Sequence, residues 1–492
     1  MSVLVIDAGT TGVTALVVGP DTHVQSRGYR EFPQHFPQRG WVEHLPDEIW
    51  TATLEAAREA LDAAPSTPVC VGITNQRETV VLWDRETLGS ARPAIVWQDR
   101  RTAGLCEQLR QDGHEPTVRR TTGLRLDPYF SATKLAWIAT NEPHIWAGVA
   151  AGRTAIGTVD SYLIARMSRG LHHVTDASNA SRTLLFDIHE GAWSADLCAL
   201  FAVPIDALPT VVASYGDLAH TDPTCFLGLD LPITGIAGDQ QAALFGQCAV
   251  NVGNAKCTYG TGSFVLVNTG ADAVDSRTGL LTTVAYGRPD GSLVYALEGS
   301  VFVTGAAIQW LRDGLGIIGA ASEVNGLAAS VPDAGGVVFV PALTGLGAPD
   351  WDPSARGAVV GITRGTTAAH LARATLDAIA FQVRDVVDLM AAEASVSLPA
   401  LAVDGGAAAS DLLCQIQADQ LGVPVLRPDV IETTGLGAAF LAGLGAGIWN
   451  STDELAATRC IERTFQPGPR DEGAHRLWRA AVERAKGWAL ER

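Results

Sequence analysis

Residues 3–19 read VLVIDAGTTGVTALVVG, and residues 255–270 read AKCTYGTGSFVLVNTG. Each is an extended apolar run, a tight turn of glycine and threonine, and a second extended run, which is the pattern of a β-hairpin. Two similar hairpins half a chain apart point to two related domains. After each hairpin the chain alternates between strand-like and helix-like segments. Strands are predicted at 69–74 (VCVGIT), 80–83, 157–159, 336–340 and 400–403. Helices are predicted at 46–63 and 370–392; in the second, Leu376, Ile379, Val383, Val386 and Met390 recur at helical spacing and form one apolar stripe. Alternation of this kind predicts an α/β fold with mixed sheets. The boundary falls near 245–255, so domains are expected at 1–250 and 251–453, with 454–492 a charged, helical closing segment. The stretch at 435–449, rich in glycine and alanine, reads as a tightly packed internal helix, too short to span a bilayer.

A chain of 492 residues exceeds one ordinary core. Its net charge of −18, from 35 basic and 53 acidic residues, argues against nucleic acid or an anionic membrane as partner. A phosphorylated ligand remains compatible, because backbone amides or a metal hold phosphate without a basic surface. The eight cysteines are scattered, form no C-x-x-C pair and have no histidine cluster beside them. Together with an N-terminus that lacks a signal-peptide pattern, they predict a cytoplasmic protein with reduced thiols and no membrane insertion.

Several stretches carry chemistry. In DAGTTGVT (7–14) a carboxylate ends a strand and a Gly-Thr turn follows. The turn fits either an Asx turn or a phosphate cradle with Asp7 holding magnesium through water. The second hairpin turn, YGTGSF, favours the cradle, since two such turns facing each other would clamp a polyphosphate. In GITNQRETVVLW (72–83), Arg77 and Glu78 sit at a strand end, where α/β ligand sites collect, and offer donors and acceptors to a polyhydroxylated molecule. An exposed ion pair is the plainer reading. Tyr129 and Trp97 fit either a ligand contact or the core. VDGGAAASDLL (403–413) is strand, glycines and helix start, a nucleotide contact or simply a turn. In ITGIAGDQQAALFGQ (233–247), Asp239 reads as a helix N-cap, or as a carboxylate at the foot of a cleft waiting for a proton.

Together these stretches resemble the FGGY family of carbohydrate kinases over almost the whole chain. Two signature-like segments carry the likeness most specifically, YFSATKLAWIATN (129–141) and GAVVGITRGTTAAHLARATLD (357–377). The resemblance implies two actin-like, ribonuclease H-like domains, with mixed sheets flanked by helices and a deep cleft between them. It implies ATP and Mg²⁺ as cofactors, and transfer of phosphate from ATP to glycerol, giving sn-glycerol 3-phosphate. By that likeness Arg77, Glu78, Tyr129, Asp239 and Gln240 hold the glycerol hydroxyls, Trp97 and Phe264 pack on its carbons, and Asp239 is the general base. Thr10, Thr11, Gly12 and Thr261 meet the phosphates; Gly305, Gln309, Gly406 and Ser410 line the nucleotide; Asp7 positions the magnesium. A homo-oligomer, dimer or tetramer, is also implied. Two positions depart from the family pattern: Thr14 stands where arginine is common, and Ser410 where asparagine is frequent. Thr14 replaces a charged donor with a neutral one. That keeps two alternatives in view, a kinase for another small polyol or sugar, and a nucleotide-binding paralogue with weak catalysis.

Overall fold

A computed structural model describes residues 1–430 and 432–489. The first hairpin opens a six-stranded sheet. Its strands are β1 (Val3–Ala8), β2 (Gly12–Val18), β3 (Val24–Glu31), β4 (Cys70–Asn75), β5 (Tyr215–His220) and β6 (Pro232–Gly238), in the order β5-β6-β4-β1-β2-β3. The second hairpin opens a seven-stranded sheet of β7 (Ala255–Tyr259), β8 (Ser263–Gly270), β9 (Leu281–Gly287), β10 (Leu293–Val301), β11 (Leu401–Asp404), β12 (Val425–Pro428) and β13 (Ile461–Phe465). Its order is β9-β10-β8-β7-β11-β12-β13.

The two sheets repeat one plan. β1 pairs antiparallel with β2 and parallel with β4, β4 pairs parallel with β6, and β5 closes the edge antiparallel. Likewise β7 pairs antiparallel with β8 and parallel with β11, β11 pairs parallel with β12, and β13 closes the edge antiparallel. The repeat expected from the hairpins is therefore a repeat of topology, with β9 as an added edge strand.

Local chemistry accounts for the long helices. Pro46–Ala63 begins with proline in its first turn and Asp47 and Glu48 beside it, which suits the free amides and positive end of a helix start. Ala368–Ala394 starts with a Thr367–His370 capping box, and its predicted stripe is buried from Leu376 to Met390. Arg373 meets Asp377 at 3.0 Å along its flank.

Helix Pro46–Ala63 and helix Val159–Met167 cover one face of the first sheet. Its other face packs on Asp239–Gly246 and Thr433–Gly445, which lie in a core shared with the second sheet through Leu266, Tyr286 and Ala296. The far face of the second sheet packs on Ala368–Ala394 and Asp411–Leu421. The two central helices approach to backbone contact: a Cβ at Gly437 would lie 1.8 Å from the Ala242 carbonyl oxygen, and one at Gly246 2.0 Å from that of Thr433. Only glycine fits at such an approach.

Two expectations are corrected. The strand placed at 157–159 is Thr154–Gly157; Thr158 is extended and Val159 opens a helix, so the β-branched run straddles a strand end and a helix start. The segment after 453 is not purely helical, because β13 extends the second sheet before helix Glu472–Ala485. Among the described residues no helix is long and apolar enough to cross a membrane.

His173 ties three separate segments of the first half together. Its Nε2 donates to the Ile156 carbonyl at 2.9 Å, and its Nδ1 accepts from Arg85 at 3.2 Å. Burial, opposed by the Ile156 bond and aided by Arg85, pulls its pKa from 6.5 to about 4. A depressed histidine contributes stability above its unfolded pKa and loses it as the folded pKa is approached. Thermal stability is therefore expected to fall between pH 6.5 and about 4, with this site contributing about 3 kcal/mol at most. Melting curves of His173→Gln across this range are expected to be flatter than those of the parent chain.

Candidate active site

The carboxyl ends of β1, β4 and β6 converge on one place. Asp7 lies next to the last residue of β1, Arg77 and Glu78 follow β4, and Asp239 follows β6. This is where a parallel α/β sheet exposes side chains to a ligand.

Arg77 is the hub. It is 2% exposed, and its nitrogens face five side chains. Nη1 donates to Glu298 at 2.6 Å and to Gln241 at 3.2 Å; Nη2 donates to the Tyr129 hydroxyl at 3.1 Å and to Glu298 at 3.1 Å; Nε lies 3.2 Å from Asp239 Oδ1. Arg77 thus orients the other polar groups, and a ligand hydroxyl must share its hydrogens. Glu78 sits beside it with φ of 63°, a left-handed backbone that a non-glycine residue holds only under strain. Its carboxylate accepts from Arg182 Nε at 2.7 Å. Burial raises the Glu78 pKa, against the pull of Arg77 and Arg182.

Tyr129 is fixed from behind. The Lys134 ammonium is buried and donates to the carbonyls of Pro128, Tyr129 and Phe130 at 2.7, 2.6 and 3.0 Å, using its three hydrogens to pin the loop. Trp97 meets the Tyr129 ring edge-on at 5.6 Å and donates its Nε1 hydrogen to Thr10 Oγ1 at 2.9 Å. That bond joins the Arg77 group to the first hairpin turn. Asp239 is the most open member, at 31% exposure. It is the first residue of its helix rather than the cap, which is Gly238, and its Oδ1 accepts from the Gln240 amide at 2.7 Å. The Gln240 side chain accepts from Lys256 Nζ at 2.5 Å.

The two hairpin turns share a closing bond, Gly9 N–H to the Gly12 carbonyl at 3.0 Å and Gly260 N–H to the Gly262 carbonyl at 2.8 Å. Thr11 and Thr261 stand exposed at their tips. Gly12 lies over Tyr29, whose hydroxyl would be 2.8 Å from any Cβ there. Gly305 rests on the second turn, donating to the Gly260 carbonyl at 3.0 Å, with exposed Gln309 one turn later on the same helix. Gly406 is exposed just beyond β11. Ser410 is buried, and its hydroxyl caps helix Asp411–Leu421 through the Leu413 amide while bonding Asn325. Phe264 is half-buried on β8 against the central core.

Asp7 stands apart electrostatically. Burial, then Asp239 and Glu432, push its pKa up to about 7. Carboxylates held at such a cost suit a divalent cation. Among the described residues no group of three or more histidine, cysteine or acidic side chains could hold a metal alone. A lone carboxylate such as Asp7 would suit a Mg²⁺ ion that keeps mostly water and phosphate oxygens in its shell.

The chain matches the N-terminal domain model of the FGGY family of carbohydrate kinases over residues 2–246, and the C-terminal domain model over residues 255–446. It belongs to the FGGY family of carbohydrate kinases. Among FGGY relatives, it is 55% identical to a glycerol kinase of Aromatoleum aromaticum over 99% of both chains. It is 52% identical to one of Dechloromonas aromatica, over 99% of this chain and 98% of the other. The crystal structure of Plasmodium falciparum glycerol kinase with ADP superposes with a TM-score of 0.93 at 34% identity, covering 98% of each chain. A gluconate kinase of Lactobacillus acidophilus, at 20% identity and a TM-score of 0.89, shares the FGGY fold.

Four charged or polar side chains at this FGGY site escape a reading of the sequence alone: Glu298, Arg182, Lys256 and Gln241. The available signal was Glu298 itself, a lone charge in the apolar strand LVYALEGSV.

Proposed function

We infer that this chain transfers the γ-phosphoryl group of ATP to glycerol, giving sn-glycerol 3-phosphate, in the cytoplasm. The observation that carries the reading is Asp239, a partly open carboxylate ringed by buried partners at the ends of three strands. Agreement with full-length glycerol kinases at 50–55% identity supports glycerol over other polyols, and catalysis over a degenerate nucleotide sensor. We extend the family likeness to a homo-oligomer, dimer or tetramer.

Phosphoryl transfer needs in-line positioning and charge neutralisation more than covalent chemistry. Arg77, Glu78, Tyr129 and Gln240 hold the polyol hydroxyls, and Trp97 and Phe264 flank its carbons. Asp239 orients the attacking hydroxyl and takes its proton. Oδ1 already carries the Gln240 amide and the Arg77 Nε contact, so we assign the proton to Oδ2. The amides and hydroxyls of Thr10, Thr11 and Gly12 meet the phosphates from one half, and Thr261 from the other. Gly305, Gln309 and Gly406 line the nucleotide, where the absence of side chains at the glycines lets it approach. Ser410 acts there through its cap and through Asn325. Asp7 would hold Mg²⁺ through water, and the chemistry that ion supplies is neutralisation of the phosphate oxygens.

The deciding test is ADP release by the purified chain with ATP and magnesium, over glycerol, dihydroxyacetone, erythritol, xylulose and gluconate. Strong release is expected with glycerol and only background with the others. Release with a different polyol alone would overturn the substrate. Silence across the panel would overturn catalysis and make Thr14→Arg the first repair.

A further inference from the structure

Behind Asp239 four charges close a buried ring. Arg77, Glu78 and Arg182 come from the half of the chain before β7, and Glu298 comes from β10 of the second sheet. Glu298 Oε2 accepts from Arg77 at 2.6 Å, and its Oε1 accepts from Arg77 at 3.1 Å and from Arg182 at 3.0 Å. Arg182 returns the chain of contacts to Glu78 at 2.7 Å. None of the four is more than 2% exposed. Two cations and two anions balance, so the ring carries no net charge.

A buried ring of this kind costs desolvation that apolar residues would avoid, so it marks a place where orientation matters. Arginine has much rotamer freedom to lose, and a bidentate carboxylate fixes its plane as no single acceptor does. Both Arg77 hydrogens that face Glu298 belong to the guanidinium that also holds the Tyr129 hydroxyl. A second contact runs the same way: Lys256, on β7 of the second sheet, donates to the Gln240 side chain across the same boundary.

We propose that Glu298 is a positioning residue for the polyol pocket, reaching across from the second sheet to set the plane of Arg77. The pocket on the first half is therefore complete only when the second half is seated against it. The inference rests on the glycerol reading above. Although burial opposes its charge, Arg182 and Arg77 hold the Glu298 carboxyl down at about 2, which keeps the clamp intact through the neutral range.

The test is steady-state kinetics of Glu298→Gln, which keeps shape and removes charge. The KM for glycerol is expected to rise about 10- to 100-fold, the worth of a hydrogen bond to a charged group, while the KM for MgATP stays at the parent value. The charge-balanced double variant Arg182→Gln/Glu298→Gln is expected to recover melting temperature but not the KM for glycerol. It also serves if the single variant does not fold. Parallel rises in both KM values, or recovery of KM together with melting temperature, would reduce Glu298 to a structural ion and overturn the proposal. If the parent chain is idle with glycerol, the substrate reading fails instead. The crystal structure of Glu298→Gln then decides: Arg77 swung away from Tyr129 and Asp239 supports positioning, and Arg77 unmoved overturns it.

Discussion

Asp239→Asn is expected to fold as the parent chain does and to lose about 10²–10⁴ in kcat, the usual worth of a general base. The amide has the shape of the carboxylate, so Arg77 Nε and the Gln240 amide keep an acceptor at Oδ1. The charge removed lies at the open end of the group, not in the buried ring, so melting temperature should barely move. What disappears is the acceptor for the hydroxyl proton. The check is ADP release at saturating glycerol and MgATP, beside a thermal melt of the same preparation. Turnover near the parent value would sink the assignment of Asp239 as base.

Arg77→Met is expected to do damage of another kind. It strips the hub from Glu298, Gln241, Tyr129 and Asp239 at once. Glu78 and Glu298 are left in the interior with Arg182 as the remaining ring cation. Breaking a buried ion pair from one side costs about 3–5 kcal/mol, because the abandoned charge stays desolvated. The variant should melt well below the parent and show no measurable turnover. Arg77→Lys separates the two effects: a single ammonium restores part of the charge balance but cannot serve a bidentate carboxylate and a tyrosine hydroxyl together. It should melt between the two and remain inactive. An Arg77→Met chain as stable as the parent would show that the ring carries no strain when opened.

The hairpins were readable because strand alternation and turn glycines are local, and each found its partner strand where expected. Strand ends moved by a residue, as at Cys70–Asn75, since a terminal β-branched residue carries no boundary of its own. β13 had only a faint signal, Ile461 and Phe465 at its two ends, and the charged residues between them in a tail rich in both signs masked it. The N-cap reading of Asp239 does not hold: Gly238, whose extended backbone ends β6, is the cap, and Asp239 is the first helical residue. The ring was not readable. Arg182 and Glu298 lie 116 positions apart, and a buried charge is tolerable only through a partner that the local sequence never names. The setting of Ser410 was hidden for a related reason: its hydroxyl, which caps the next helix, is also held by Asn325, 85 positions away.

Helix Thr433–Gly445 packs its alanines and glycines on strands synthesised long before it. Thr234 and Cys70 both point donors at its Ala442 carbonyl. On the ribosome, then, the first sheet must wait with part of one apolar face bare until this helix has emerged. The halves share one strand plan yet are not independent as products. A nascent chain stalled in its second half would display a sticky, strand-lined surface, so a holdase has the longest opportunity to act here on the part of the molecule that was translated first.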